Sequence, residues 1–297
     1  MGPIDFQMDV TLIICTWNRA ESLRNCLLSL KNLLVPEGIS WEVLVVINGS
    51  SDHTAGVVAD FQQVLPIRSV DEPMQGLSRA RNTGVKNALG RLIIFFDDDV
   101  CVDSFCLTSF LQAKALNPKG ALFGGVIEPQ FEIENLELAA LLKEPFFDGL
   151  LLRKNLGSEM KVMNSDEYFF GANFAVERVL FDLVQFDVNL GKKGKQQLLG
   201  EEIRLQDEAI QRGLPRVWVP SAKVTHGIDT ERLSLKYLCL YFWGLGRTHY
   251  RLKNTIFFPR VRPFTLIVLW TQLIFFGGCL YEFFSSHFSF LIGAKHS

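Results

Sequence analysis

A run of apolar residues that ends in three consecutive carboxylates constrains this chain more than any other feature. The stretch Leu92-Ile93-Ile94-Phe95-Phe96 contains no polar residue, and Asp97-Asp98-Asp99 follows it directly. An unbroken apolar run of this length is typical of a central strand that is buried on both faces of a parallel sheet. Such a strand delivers its last residues to the edge where open α/β sheets bind ligands. The alternative interpretation is an exposed acidic turn that caps the next helix.

Three adjacent carboxylates repel one another, and each is costly to bury without a partner. A divalent cation removes this cost, and an oxygen-rich cluster suits Mg²⁺ or Mn²⁺. The sequence therefore predicts a site for one of these ions at the end of the strand.

Strands and helices alternate along the first hundred residues, as in an α/β fold. Apolar runs at Val10–Cys15 and Trp41–Ile47 predict two further strands, and each is followed by a predicted helix. Strands connected by helices form a mostly parallel sheet that is flanked by those helices. The chain has no GxGxxG after its first strand and no GxxxxGK[ST], which disfavours a dinucleotide oxidoreductase or a P-loop NTPase.

Composition narrows the partners and the compartment. A net charge of -2 gives no reason to expect nucleic acid as a partner. The six cysteines form no CxxC pair, which favours reduced thiols in an intracellular protein. The first nine residues carry acids and no apolar core, so they predict no signal peptide.

Four segments of the chain together resemble a known family. They are Val10–Arg19, Glu42–Asp52, Gly76–Gly84 and Phe95–Asp99. In order and spacing they are similar to the family 2 glycosyltransferases of the GT-A fold, and the resemblance covers roughly residues 9–228. It implies a Rossmann-like, mostly parallel sheet with a nucleotide-sugar half (9–100) and an acceptor half (101–228).

The resemblance also implies a reaction, in which a sugar leaves a UDP- or GDP-type nucleoside diphosphate donor with Mn²⁺ or Mg²⁺ as cofactor. Asp97 and Asp99 would hold the cation, and Asp98 would face the ribose or the sugar of the donor. The implied donor-binding residues are Thr16, Asn18, Arg19, Asn48, Asp52, Arg79 and Asp98. Relatives usually have an Asp-Asp or Asp-Asn pair where this chain has Ile47-Asn48, which weakens any prediction of the base. For Arg79 and Arg81 the alternative is an exposed helix face.

Further matches lie in the second half of the chain. Gly171, Ala172 and Asn173 match the family's G-x-N segment beneath the acceptor site, although an ordinary strand with a glycine bend explains them equally well. Glu201-Glu202 occupies the position of the family's catalytic base, which we assign to Glu202 ahead of Glu201. Two acids in the first turn of a helix also stabilise that helix without any catalysis. His226 follows a predicted strand, and it is either structural or the residue that completes the metal site.

The C-terminal part of the chain differs in character. Residues 229–262 predict an amphipathic helical segment with aromatic and basic residues. Phe264 to Tyr281 contains no charge and is just long enough to cross a bilayer, so residues 263–293 are predicted to be membrane-associated. A buried or dimerising helix pair is the alternative. Five Arg or Lys residues between Arg247 and Arg262 favour a catalytic domain at the cytoplasmic face of the cell membrane.

These observations predict a metal-dependent, inverting glycosyltransferase whose partners are a nucleotide-sugar donor, a polysaccharide or glycolipid acceptor and membrane lipid. Inversion follows from a single base, which supports one direct displacement. A nucleotidyltransferase that makes sugar nucleotides is disfavoured, because Thr16-Trp17-Asn18-Arg19 lacks the glycines of a phosphate-binding turn. From another class, the chain could be a catalytically silent, membrane-tethered subunit that binds sugar nucleotides for a polysaccharide assembly system.

Overall fold

The computed structural model describes residues 6–131, 142–194, 198–229, 232, 234–253 and 272–281. The chain forms two compact units, one made of Met1–Phe186 with Glu202–Ile228 and the other of Asp187–Glu201 with Asp229–Ser297.

The described residues contain strands, α-helices and short 3₁₀ turns. The strands are β1 (Met8–Thr16), β2 (Trp41–Ile47), β3 (Ile67–Asp71), β4 (Gly90–Asp97), β5 (Val100–Val102), β6 (Leu122–Gln130), β7 (Lys161–Val162), β8 (Asn173–Glu177) and β9 (Arg216–Gly227). The helices are α1 (Ala20–Leu30), α2 (Thr54–Phe61), α3 (Leu77–Asn87), α4 (Cys106–Leu116), α5 (Glu201–Gln211) and α6 (Leu235–Lys253). Residues 272–281 are helical as well.

The first unit is built on one sheet with the strand order β3-β2-β1-β4-β8-β6-β9-β5, and β7 pairs with β9. The strands from β3 to β4 are all parallel, as the alternation of strands and helices predicts. Beyond β4 the sheet is mixed, because β8 runs antiparallel to both of its neighbours, β4 and β6. The prediction of a mostly parallel sheet is therefore wrong for the second half, where β8 enters without a crossover helix.

Both faces of the parallel half are buried, which explains why its strands read as unbroken apolar runs. Along β1, Leu12 and Ile14 pack on the face covered by Leu23 and Leu27 of α1. Ile13 points to the opposite face. There Gly84 of α3 lies so close that an added Cβ would be 2.8 Å from the Ile13 side chain.

The strand β9 replaces two short strands that the sequence predicts at Arg216–Val219 and Ala222–Thr225. It pairs with β6 on both sides of an irregularity, since Gly125 faces Val219 whereas Val126 faces Lys223. The bulge between them keeps the two segments in one sheet. His226, near the end of β9, is thereby carried to the edge next to β5, where it faces Val100.

The second unit contains α6 and the helical residues 272–281, which pack closely. An added Cβ on Gly246 would lie 2.0 Å from the carbonyl oxygen of Phe275, and one on Gly278 would lie 2.2 Å from that of Trp243. The rings of Tyr241, Phe242 and Tyr250 are buried. The helix α6 lies within residues 229–262, and the membrane contact of that segment stays a prediction.

Most of the predicted membrane-associated segment, residues 263–293, lies outside the described residues. Its described part, 272–281, buries Gln272, Phe275 and Cys279. Among the residues that the structure describes, no helix combines the length and the apolar character that a bilayer crossing requires.

Candidate active site

The acidic triplet lies where β4 ends, and most of its surface is buried. The side chains of Asp98 and Asp99 are 6% and 8% exposed, and that of Asp97 is 27% exposed. The interpretation as an exposed acidic turn is therefore wrong. Burial raises the pKa of Asp98 to about 7, although the Arg19 guanidinium opposes this shift and the Asp99 carboxylate adds to it.

Arg19 binds two of these carboxylates with a single nitrogen. Its Nη1 lies 2.8 Å from Oδ1 of Asp98 and 2.9 Å from Oδ2 of Asp99. Burial disfavours the Arg19 cation, but Asp98 and Asp99 outweigh this effect and raise its pKa. Arg19 immediately precedes α1, so β1 and the turn after it carry the positive charge to the triplet. The role of Arg19 in binding the donor stays a prediction.

His226 approaches Asp99 from β9. The imidazole is fully buried, and its Nε2 lies 3.1 Å from Oδ1 of Asp99. The two residues are 127 positions apart in the sequence, and the pairing of β5 with β9 brings them together. A carboxylate beside an imidazole is a donor pair that suits Mn²⁺.

The side chains at this edge offer donor atoms that a divalent cation could bind. Oxygen atoms of Asp98 and Asp99 converge on one positively charged nitrogen, and His226 adds a nitrogen donor beside Asp99. In the described ranges no three His, Cys, Asp or Glu side chains are gathered as a complete set of metal ligands. The convergence of anionic oxygens and the chemistry of the donors nevertheless fit such an ion. The assignment of Asp97, Asp99 and His226 as its ligands stays a prediction.

The loops that follow β1 and β2 are tied to each other by Asn18 and Asp52. Asn18, which has a positive φ of 51°, accepts hydrogen bonds from the backbone N–H groups of Ser51 and Asp52. Asp52 accepts hydrogen bonds from the backbone N–H groups of Ala20 and Thr54, at the first residues of α1 and α2. These bonds lower the pKa of Asp52 in spite of the opposing effect of burial. The role of Asp52 in binding the donor stays a prediction.

Thr16 and Asn48 also lie at this edge of the sheet, and both are buried. The hydroxyl of Thr16, at the end of β1, is buried beside Asp98 and favours the ionised form of that carboxyl. Asn48 donates to the carbonyl oxygens of Glu72 and Met74 and accepts from the N–H of Gly76. Its amide therefore holds the loop before α3, and pairing with a base edge, which stays a prediction, would require these bonds to break. Arg79 is half-buried in the first turn of α3.

Arg81 also lies at this edge, and its sequence context is equally compatible with a site or an exposed helix face. It is buried, and its Nη2 donates to the carbonyl oxygen of Gly171 and lies 3.4 Å from Oδ1 of Asp97. An exposed helix face is therefore wrong for Arg81. The signal that could have found it is its spacing, because Arg81 precedes Gly84 by three residues and shares its inward-facing stripe on α3.

The segment Gly171–Asn173 is buried. Asn173 is fully enclosed, and its amide donates at 3.0 Å to the carbonyl oxygens of both Val126 and Ala222. It thus fills the bulge between β6 and β9, and Gly125 is required there because an added Cβ would lie 2.3 Å from the Asn173 amide nitrogen. The Asn173 side chain is thus engaged within the protein, and its role in binding an acceptor stays a prediction. A place of Gly171 and Ala172 beneath an acceptor stays a prediction.

Glu201 and Glu202 open α5, and they differ in exposure. Glu201 is buried, whereas Glu202 is half-buried and so better placed to meet a substrate. Gln206, one turn later, accepts from the N–H of Phe169 and donates to its carbonyl oxygen, each at 3.1 Å. These two hydrogen bonds attach the helix that carries Glu202 to the segment before Gly171. The role of Glu202 as base stays a prediction.

Comparison with known proteins gives a consistent result. The family model described as "Glycosyl transferase family 2" matches residues 11–173. The succinoglycan biosynthesis protein ExoM of Rhizobium meliloti is 30% identical over 251 residues, which are 82% of this chain and 75% of that protein. Other curated relatives are much longer, and the chain spans 28% and 30% of the length of two of them.

Solved structures share the fold at low sequence identity. The mannosyltransferase PcManGT from Pyrobaculum calidifontis, in complex with GDP-Man and Mn²⁺, has a TM-score of 0.61 and 18% identity and covers 100% of this chain and 80% of its own. S. aureus TarS residues 1–349, in complex with UDP-GlcNAc, has a TM-score of 0.59 and 16% identity and covers 95% of this chain and 73% of its own. The predicted fold is confirmed in its coarser form, a mixed α/β sheet with flanking helices.

Proposed function

The chain belongs to glycosyl transferase family 2, and from this premise we propose that it transfers a sugar from a nucleoside diphosphate donor to a glycan or lipid-linked acceptor. The observation that carries the proposal is the triplet at the end of β4, where buried carboxylates are met by Arg19 and by His226. Burying this much negative charge at a ligand-binding sheet edge costs free energy, and binding of a cation together with a diphosphate would account for it.

Donors of either the UDP or the GDP type are compatible with this proposal. The two structural neighbours described above are complexes with UDP-GlcNAc and with GDP-Man. The side chain of Asn48 is engaged with the loop before α3, so base selectivity would come from the backbone of that loop.

Asp97, Asp99 and His226 would hold Mn²⁺ or Mg²⁺. Bound there, the cation would neutralise the charge that develops on the departing diphosphate. Arg19 balances Asp98 and Asp99 when the cation is absent. Its guanidinium is a charged hydrogen-bond donor from which a phosphate oxygen could accept. Asp98 would face the ribose or sugar.

Glu202 acts as the general base in this proposal. Its carboxylate takes the proton of the acceptor hydroxyl as that oxygen forms a bond to the anomeric carbon, while the bond from this carbon to the diphosphate oxygen breaks. The nucleoside diphosphate leaves with the electron pair. One displacement of this kind inverts the anomeric configuration, and the base contributes about 100- to 10,000-fold to the rate.

The acceptor is a polysaccharide or glycolipid precursor in this proposal, and the name of the relative ExoM, a succinoglycan biosynthesis protein, supports it. The reaction would take place at the cytoplasmic membrane face. Support for the membrane comes from the charge-free stretch Phe264–Tyr281 and the basic residues before it. We expect full-length protein to sediment with membranes through a high-salt wash, and a chain that ends near Lys253 to stay in the supernatant. Full-length protein that is monomeric without detergent would contradict the membrane assignment.

The activity is tested by screening purified protein against a panel of nucleotide sugars with Mn²⁺, Mg²⁺ or EDTA, while release of nucleoside diphosphate is measured. We expect one donor class to be turned over in the presence of a metal ion, and EDTA to abolish turnover. Donor binding without any transfer to glycan or lipid-linked acceptors would instead favour the silent binding subunit. Activity that EDTA leaves unchanged would contradict the metal dependence.

A further inference from the structure

Arg81 is a buried cation that lies between the predicted metal-binding carboxylates and the segment leading into β8. Only 3% of its side chain is exposed. A buried guanidinium is costly unless hydrogen bonds and a counter-charge compensate it. The surroundings of Arg81 supply both, and they come from different parts of the chain.

Two of its contacts join regions that are far apart in the sequence. The same nitrogen, Nη2, is 3.0 Å from the carbonyl oxygen of Gly171 and 3.4 Å from Oδ1 of Asp97. One of these partners belongs to the acidic triplet and the other to the segment before β8. Arg81 therefore fixes the Asp97 carboxylate relative to the backbone at Gly171.

Aromatic rings hold the guanidinium in place. Its central carbon lies 5.9 Å from the ring centre of Phe95, 5.7 Å from that of Phe174 and 5.6 Å from that of Phe186. Phe95 and Phe174 also stack on each other, with their ring centres 4.7 Å apart. Cation–π attraction and close packing restrict the guanidinium to one position, so it can act as a fixed point for the residues it binds.

Gly171 gives independent support, because its lack of a side chain is matched to Arg81. An added Cβ at this position would lie 2.7 Å from Nη2 of Arg81, closer than Cβ contacts in proteins allow. The glycine thus makes the space in which the guanidinium reaches both of its partners. Gly171 matches an acceptor-site motif in the sequence, and in the structure the guanidinium of Arg81 lies where a side chain of this residue would be.

We propose that Arg81 is a positioning residue that holds Asp97 in place for the divalent cation by anchoring it to the Gly171 carbonyl. This inference rests on the proposed function. With one oxygen of Asp97 held on the Arg81 side, the carboxylate keeps a fixed orientation and its exposed part stays available to the ion. Loss of an outer residue that orients a metal ligand typically weakens metal affinity about 10- to 100-fold.

Mn²⁺ affinity of the purified full-length chain, measured by electron paramagnetic resonance with the metal alone, tests the proposal. Arg81→Met removes the charge and the hydrogen bonds, and Gly171→Ala keeps Arg81 but displaces it. We expect each variant to bind Mn²⁺ about 10- to 100-fold more weakly than the unaltered chain. The double variant should be little weaker than either single one, because both changes break the same contact.

Matched controls separate positioning from general stability. Lys86→Met removes an exposed cation from the same helix, and Gly56→Ala adds a methyl group where no atom lies within 4 Å. Val58→Ala creates a cavity in the buried face of α2 and should lower the melting temperature alone. All three controls should keep the affinity for Mn²⁺.

Three results would overturn the proposal. The first is a folded Arg81→Met or Gly171→Ala chain that binds Mn²⁺ as tightly as the unaltered one. The second is failure of both variants to fold, which would make Arg81 a core residue and nothing more. The third is an unaltered chain that binds neither Mn²⁺ nor any nucleotide sugar, in which case the proposed function fails together with this inference. The first result leaves the proposed function standing.

Discussion

The edge formed by the ends of β1 and β4 and the segment that leads into β8 both matched family motifs, yet the structure uses them differently. At the first edge the motif side chains meet one another, since Arg19 bridges Asp98 and Asp99 while His226 contacts Asp99. In the second region the motif residues Gly171 and Asn173 are buried and bind other parts of the protein.

The physical reason for the difference is the cost of burying charge. A buried carboxylate needs a cation or a metal beside it, so three in succession directly after a buried strand predict a site. An amide or a glycine carries no such obligation. Asn173 is satisfied by two backbone carbonyls, and a glycine can serve any close approach. An amide or a glycine in a family motif can therefore reflect a requirement of the backbone as readily as a contact with substrate.

The largest expected effect concerns the charged edge. Asp99→Ala removes the carboxylate that contacts both Arg19 and His226, so Mn²⁺-dependent donor binding should fall by at least about 100-fold. Titration of donor with and without Mn²⁺ measures this. Asp60→Ala is the control, because Asp60 is exposed and pairs with Arg24 at the surface. Donor binding that is equally tight in Asp99→Ala would refute the metal assignment.

A second test asks whether α5 contributes chemistry in addition to structure. Glu202→Gln keeps the size of the side chain but cannot accept a proton, so turnover should fall about 100- to 10,000-fold at nearly unchanged donor affinity. Glu208→Gln on the same helix breaks only the pair with Arg212 and should be near normal. Steady-state kinetics measures both variants. If Glu201→Gln were inactive and Glu202→Gln active, the base would be Glu201.

A third test is aimed at the buried segment. Asn173→Ala leaves the carbonyl oxygens of Val126 and Ala222 without their donor and opens a cavity, so the free energy of unfolding should drop by about 2–4 kcal/mol. Urea denaturation measures it. Asn32→Ala, at an exposed turn, should cost less than about 0.5 kcal/mol. If Asn173→Ala instead kept full stability and raised only the KM for acceptor, this residue would contact substrate after all.

The smallest expected effect is a pH dependence at the charged edge without divalent cation. The pKa of Asp98 is raised from 3.8 to about 7, so between these values the folded state holds a proton that the unfolded state has lost. Stability therefore falls as pH rises through this window, by about 2 kcal/mol from pH 5 to pH 6.5. Denaturation at several pH values in EDTA checks this, and Asp98→Asn should remove that slope. A slope that persists in this variant would show that another group titrates.

The strands of the first half and the ligand-binding edge could be predicted because each follows from local pattern. Apolar runs at β1, β2 and β4 require burial on both faces, and polar residues directly after them fall at one edge. The antiparallel β8 could not be predicted this way. Its five residues carry no signal of direction, and their neighbours β4 and β6 come from distant segments.

The roles of some polar residues could likewise be predicted from the sequence, whereas those of others could not. The site at Asp97, Asp98 and Asp99 could be predicted from the sequence, because three adjacent carboxylates after a buried strand are costly without a cation. The contacts of Arg81 and Asn48 could not be predicted in this way, because an arginine or an amide on a helix or loop is equally stable in solvent or bound to backbone. Their partners are 90 and up to 28 positions away, at Gly171 and in the loop before α3. Contacts of that kind depend on how the strands are ordered in space, which no local pattern specifies.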